Sequence, residues 1–280
     1  MAIRTARQSA RLCNLIAIKL VYDKFDPPRS SKPPIAPYPL IICHGIFGNR
    51  VYWHVIAKTL VEQLRQSVIC ADARNHGESP HDPDQSLDAM SDDVEELIHT
   101  LKIPKAILVG HSMPALIDAL IVVDTAPALM PGVELFREMI RLQKELDLTR
   151  GERLDELRKR AVEEWDDIIS KIRIRIREFL VTNLVEKDGQ IEWRINLKAF
   201  EKYLDQIMEF PEYDNSYNGP VLFIKGDQSD YITEKEMPEI NRLFPENVVV
   251  TLPGTHWVHQ DSREGTIESI VNFMKDLKTD

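Results

Sequence analysis

A chain of 280 residues, 43% hydrophobic and 29% charged, has room for one sizeable catalytic domain with an inserted subdomain, and its composition is neither disordered nor fibrous. Its formal charge of −10 argues against a nucleic-acid partner, because phosphate binding needs lysines and arginines gathered on one face. No apolar run approaches the roughly 18 residues of a membrane span, and three cysteines without CxxC spacing speak against a disulfide framework and for a reducing compartment.

The first 22 residues carry Arg4, Arg7, Arg11 and Lys19, and no acidic side chain precedes Asp23. A basic, acid-free, hydroxyl-bearing start has the composition of a mitochondrial presequence, assigned here to residues 1–17. From residue 18 onward, short apolar runs alternate with amphipathic stretches. Strands are expected at 18–22, 40–43, 68–71, 106–109, 120–123, 221–224 and 248–252, and helices at 53–64, 87–101 and 266–277. That alternation predicts an α/β fold, with a mostly parallel central sheet covered by helices on both faces. Residues 27–39 hold six prolines and read as an extended linker.

Residues 131–210 break the rhythm. They are charged and helical in period over 135–146 and 152–169. The Ile-Arg alternation at 172–177 has a strand's period, but helix formers flank it and it is assigned to helix. An insertion between late strands predicts a helical cap at 128–216, over a core made of 18–127 and 217–280.

Chemistry gathers at the strand ends. Gly110-His111-Ser112-Met113 follows the run at 106–109, where a serine on a sharp strand-to-helix turn presents its Oγ and the Met113 N–H can face an oxyanion. His44-Gly45-Ile46-Phe47-Gly48 follows the run at 40–43; its glycines let the loop pass close by, and Ile46 offers the second N–H. His256, in Gly254-Thr255-His256-Trp257 after the last strand, stands where such a fold places its base. Asp124, Asp227 and Asp230 all follow strands, and each could orient an imidazole. His259 lies near His256, yet neither an HExxH pattern nor a third ligand accompanies the pair, so no metal is expected. The turn from Asp72 to Ser79 reads as a structural brace.

Taken jointly, HGIFG (44–48), DARNHGESP (72–80), GHSM (110–113), VVDTAP (122–127), TNLVEKDGQIEWRINL (182–197), FPEN (244–247) and GTHWVHQD (254–261) resemble the α/β-hydrolase domain-containing protein 11 family and related small bacterial esterases. The resemblance implies an α/β-hydrolase fold and a cofactor-independent serine esterase or lipase acting on esters or acylglycerols. It implies residence in mitochondria and an association with the 2-oxoglutarate dehydrogenase complex. It also favours Asp124 as the acid, with Asp230 as the alternative. A dehalogenase or epoxide hydrolase is disfavoured because its nucleophile would be an aspartate where Ser112 stands.

One departure from the family pattern matters physically. The family continues GHSMGG into a helix of about three turns, whereas here Met113 is followed by Pro114 and then, within six residues, by the next strand. About a dozen residues are missing relative to that pattern. A parallel crossover ordinarily needs about a dozen residues including its helix. Two outcomes are therefore expected: either other segments cover the vacated face, or the serine is misplaced and the chain is a non-catalytic binding or regulatory protein.

Overall fold

The computed structural model describes residues 17–29, 32–111, 119–168 and 174–277. Among the described residues nine strands run in chain order: β1 (Tyr22–Phe25), β2 (Leu40–Cys43), β3 (Val68–Ala71), β4 (Ile107–His111), β5 (Leu120–Val123), β6 (Leu184–Lys187), β7 (Gln190–Trp193), β8 (Val221–Gly226) and β9 (Asn247–Leu252). Seven form one sheet in the order β1-β3-β2-β4-β5-β8-β9, parallel except for β1, which pairs antiparallel with β3 at the edge. The four strands β2 to β5 are buried at every position, as a sheet covered on both faces requires.

Helices α1 (His54–Leu64) and α2 (Leu87–Thr100) follow the strands they lead away from. Each has clear ends. The Ser86 side chain caps α2 by accepting the Ala89 N–H, and α1 stops where Arg65 turns left-handed at φ 52° and returns its N–H to Val61. The inserted segment holds α3 (Val133–Glu145), α4 (Leu154–Ile168), α5 (Ile174–Val181) and α6 (Leu197–Met208). After β8 come α7 (Met237–Leu243), the single turn α8 (Val258–Asp261) and α9 (Arg263–Asp276). One apolar cluster joins α1 and α9 to a sheet face, for instance Ile56, Leu60, Ile270 and Met274 against Leu40, Ile107 and Ile121. The opposite face carries Ile41, Leu108, Leu120 and Val122, and the described residues packed there include Leu97 of α2, Ile240 of α7, Leu20, Ala126 and Ile232.

The structure corrects two expectations. The strand expected at 18–22 lies at Tyr22–Phe25 instead, because the preceding residues are engaged otherwise. The Ile18 N–H goes to Asp93 at 2.7 Å and the Val21 N–H to the Ser79 hydroxyl at 2.8 Å, while Ile18 and Leu20 enter the apolar face. Nor is the cap helical throughout. β6 and β7 form an antiparallel hairpin whose two loop residues, Asp188 at φ 52° and Gly189 at φ 76°, are both left-handed. This is the backbone that an Asp-Gly pair supplies in a two-residue hairpin. The Ile-Arg stretch is helical from Ile174 onward; residues 169–173 lie outside the described set, as does the presequence assigned to 1–17 up to residue 16.

The cap has its own core. Leu157, Ala161 and Trp165 form one face of α4 and pack with Ile140, Leu180, Phe200 and Leu204. Ile46 and Phe47, from the loop after β2, belong to this cap cluster rather than to either sheet face. The loop that begins in the core therefore ends inside the cap.

The connection between β4 and β5 is short. These strands pair in parallel, His111 opposite Val123, and only residues 112–119 join them. The parallel neighbours β8 and β9 are joined by residues 227–246, which include α7.

Candidate active site

Asp124 ends β5 in a left-handed conformation (φ 51°), is fully buried, and turns its carboxylate toward the tip of β8. One oxygen accepts the Gly226 N–H at 2.9 Å; the other accepts the Ser229 hydroxyl and, at 2.8 Å, His256 Nδ1–H. A non-glycine residue held at positive φ costs of order 1–3 kcal/mol, and such residues persist where surrounding contacts over-determine them. Three donors converging on one carboxylate do so here. They also fix the His256 tautomer with its proton on Nδ1, which leaves Nε2 as an acceptor.

His256 is held from several sides. Tyr231 stacks on its ring at 3.8 Å between centroids and 15° between planes. Burial, with the Asp124 charge adding to it, pushes the Tyr231 hydroxyl well above its usual range, so this ring is a neutral platform. His111 Nε2–H donates to the His256 carbonyl at 3.0 Å, joining the last residue of β4 to the loop that carries the base. Close approach of that loop needs glycine: a Cβ on Gly226 would lie 2.4 Å from the Gly254 oxygen.

Of the other aspartates considered, Asp227 is exposed and accepts the Gly254 N–H at 2.8 Å, shaping the loop without touching the imidazole. Asp230 is exposed as well. The structure thus brings Asp124 and not Asp230 to His256. Ser112 and Met113 lie outside the described residues.

Ile46 stands in the loop after β2, buried beside a cleft. His44 Nδ1–H donates to the Gly45 carbonyl at 2.9 Å, while His44 Nε2 accepts the Ala73 N–H at 3.1 Å. Those two bonds need a neutral ring, and burial lowers the His44 pKa accordingly. The Gly48 N–H also reaches the Gly45 oxygen, at 3.0 Å. In a trans peptide the C=O and the following N–H point opposite ways, so gripping the Gly45 oxygen aims the Ile46 N–H to the other side. Beneath the loop, buried Asp72 takes the Arg50 N–H (2.7 Å) and the Glu78 N–H (2.9 Å) and pairs with the Arg50 guanidinium. The turn from Asp72 to Ser79 is the brace its sequence suggested.

The cleft, of about 300 Å³, opens beside Ile46 and His111 and is lined chiefly by apolar and aromatic surface from Trp53, Trp257 and, on α5, Phe179. Phe179 packs against Trp257 and Tyr52 at 5.5 and 5.4 Å, and Arg175 lies 5.1 Å above the Trp257 ring while pairing with Asp261. His259 stacks on Trp53 at 4.5 Å, and burial drives its pKa down to about 3; His111 is likewise held neutral by burial. His259 thus serves as aromatic packing, whereas neutral His111 keeps its bond to the His256 carbonyl. Among the described residues no group of three or more His, Cys, Asp or Glu side chains could hold a metal ion. No described helix is long and apolar enough to cross a membrane.

Sequence reasoning missed Ser229, Tyr231 and the His111 link. Ser229 and Tyr231 sit in a loop with no period to read. His111 could have been found, since a histidine directly before a candidate nucleophile at a strand end has little room except toward the neighbouring loops.

A model of the alpha/beta hydrolase fold family matches residues 38–262. The chain is 37% identical over 271 residues to the sn-1-specific diacylglycerol lipase ABHD11 of Danio rerio, covering 92% of this chain and 83% of that protein. It is 28% identical over 257 residues to the esterase YbfF of Escherichia coli, covering 85% and 93%. Among solved structures, an esterase from a marine microorganism superimposes with a TM-score of 0.80 at 30% identity, over 92% of this chain and all of that one.

Proposed function

The chain belongs to the α/β-hydrolase domain-containing protein 11 family, within the alpha/beta hydrolase fold, and we propose that it hydrolyses carboxylic esters of acylglycerol type with Ser112 as nucleophile. The observation that carries the reading is the Asp124–His256 pair at 2.8 Å, tied through His111 to the end of the strand that leads directly into Ser112. The lipase and esterase names of the relatives support the ester class, and the apolar cleft beside Ile46 suits an acyl group.

In this reading His256 Nε2 takes the Ser112 proton as Oγ attacks the acyl carbonyl. Asp124 holds the Nδ1 proton and stabilises the imidazolium. The N–H groups of Ile46 and Met113 receive the oxyanion. Collapse expels the alcohol, which takes the proton from His256, and a water activated by the same base then releases the acid. No cofactor enters any step.

A fluorophosphonate probe tests this directly. Labelling of the intact chain that vanishes in Ser112→Ala, together with loss of p-nitrophenyl butyrate turnover, is expected. A folded chain that neither labels nor turns over is instead a non-catalytic binding or regulatory protein, the reading that the eight-residue connection 112–119 favours.

The proposal extends to the mitochondrial matrix, with the 2-oxoglutarate dehydrogenase complex as partner. The basic, acid-free first 22 residues support the location, and family resemblance alone supports the partner. Import into isolated mitochondria with loss of the first residues, followed by co-purification with the complex, tests both.

A further inference from the structure

Residues 182–197 form the longest of the segments that resemble the family, yet none of them has a place in the chemistry above. Two of the three polar residues at its ends brace the cap in an ordinary way. The Tyr52 hydroxyl bonds Thr182 Oγ1 at 2.7 Å, and Asn196 Nδ2 donates to Asn75 Oδ1 at 3.1 Å and to the Asp82 carbonyl at 3.2 Å while its own oxygen caps α6. Asn183 is different. It is fully buried, and its Nδ2 donates to the Phe47 carbonyl at 2.9 Å.

That bond is the outer end of a chain. The Phe47 carbonyl and the Gly48 N–H belong to one peptide plane. The Gly48 N–H donates to the Gly45 carbonyl at 3.0 Å, and that carbonyl shares its plane with the Ile46 N–H. Two successive planar trans units thus link a hydrogen bond donated from the cap by Asn183 to the Ile46 N–H, the proposed oxyanion donor. Linked donors polarise one another in a low-dielectric interior, so each bond strengthens the next. Phe47 itself is held at φ 60°, a conformation its side chain does not favour, and the Asn183 bond is one of the contacts that keep it there. Asn183 Oδ1 has no hydrogen-bond partner among the described residues. The side chain is buried for the sake of its donor.

We infer that Asn183 is a positioning residue for the oxyanion donor, acting from the cap through the Phe47–Gly48 and Gly45–Ile46 peptides, an inference that rests on ester hydrolysis with Ile46 as donor. A group that only orients an N–H toward developing charge changes kcat and leaves ground-state binding alone. Asn183→Leu keeps the volume and removes the donor. The measurements are kcat and KM on p-nitrophenyl butyrate, the inhibition constant of phenylboronic acid, and the unfolding temperature.

The expected result is a fall in kcat of about tenfold or more, KM within about twofold, and boronate affinity weakened in step with kcat. A kcat within twofold of the parent overturns the inference, and so does a loss that tracks a rise in KM. Should Asn183→Leu fail to fold, Gly48→Ala loads the same relay without touching the cap, since its Cβ would lie 2.9 Å from the Gly45 oxygen. It is expected to give the same kcat-specific loss, and an undiminished kcat in that variant sinks the idea. A parent chain without Ser112-dependent turnover defeats the hydrolase reading and this inference together. A working parent with unaffected variants defeats the inference alone.

Discussion

The two ends of the candidate machinery stand on different supports. The acid and base hang from β5, β8 and β9, whose connections are long: residues 124–220 carry the cap and 227–246 carry α7. Asp124 and His256 are held by each other and by Gly226, Ser229, Tyr231 and His111. The serine end hangs from residues 112–119 alone, fewer than the dozen or so that a parallel crossover normally spends, including its helix. The sheet register is nevertheless intact across β4 and β5. Strand pairing and sheet burial survive a short crossover, whereas the placement of a side chain on that crossover is set by the link itself.

The largest effect belongs to the well-supported end. Asp124→Asn keeps the shape but cannot hold the Nδ1–H tautomer, and a change of this kind costs about 10³–10⁴ in kcat where such a triad operates. Steady-state hydrolysis at neutral pH checks it. A loss under tenfold would mean that the supported end is not limiting and that the serine end already throttles the reaction.

The second effect belongs to the short link. Inserting a helix-forming, amphipathic segment of about a dozen residues after Met113 supplies an N-terminal helix dipole near the oxyanion and apolar side chains of its own to bury in the β4–β5 crossover. Unfolding is expected to move up by a few kcal/mol, at about 1.5–3 kcal/mol per large apolar side chain newly buried, with turnover raised in parallel. Denaturant unfolding of the two chains side by side measures it. No gain in either quantity would show that the eight-residue link is already a complete crossover.

Much of this contrast was legible in the residues. Apolar runs marked every strand of the parallel sheet; for β2 to β5 this is because a strand covered on both faces has no polar side, while half-exposed β9 was marked by its β-branched run alone. The strand ends marked His44, Asp124 and His256, because a parallel sheet gathers its loops along one edge. What could not be read was anything decided by tertiary contact. The choice among Asp124, Asp227 and Asp230 turned on which carboxylate is buried within reach of Nδ1. The shift of the first strand turned on Asp93 and Ser79, distant in sequence. The hairpin at 184–193 carries an Asp-Gly pair that could have signalled it, but the helical period at 135–146 and 152–169 set the expectation for the whole insertion.

A smaller effect follows from the histidines that both ends share. His44, His76, His111 and His259 are all buried, and burial depresses each pKa, that of His259 to about 3. The unfolded chain takes up these protons near pH 6.5, before the folded chain does. Their contribution to stability is therefore complete above about pH 6.5 and is lost progressively as the pH falls toward the folded values. The unfolding temperature is expected to drop by several degrees between pH 7 and pH 5, as one kcal/mol moves a domain of this size by about 2–4 °C. A flat profile over that range would mean that these rings take up protons in place, by opening of the short link or of the cleft.

The smallest expected effect is the most pointed about the supported end. Asp230 follows the same strand as Ser229 and has a reasonable position for an acid on spacing alone, yet its side chain is exposed while Asp124 is fully buried against His256. An exposed carboxylate is screened by water and, with no bond to the imidazole, has no hold on its tautomer. Asp230→Asn is accordingly expected to leave kcat and KM within about twofold. Should it instead cost 10³ or more while Asp124→Asn costs little, the acid has exchanged places in the working enzyme. The loop from Gly226 to Tyr231 would then have to rearrange to bring Asp230 inward, breaking the Ser229 bond to Asp124 and unstacking Tyr231 from His256. A rearrangement of that size would leave its own mark in the Tyr231 environment, readable by fluorescence or by the ring's NMR signals, so the two arrangements are separable without reference to rate.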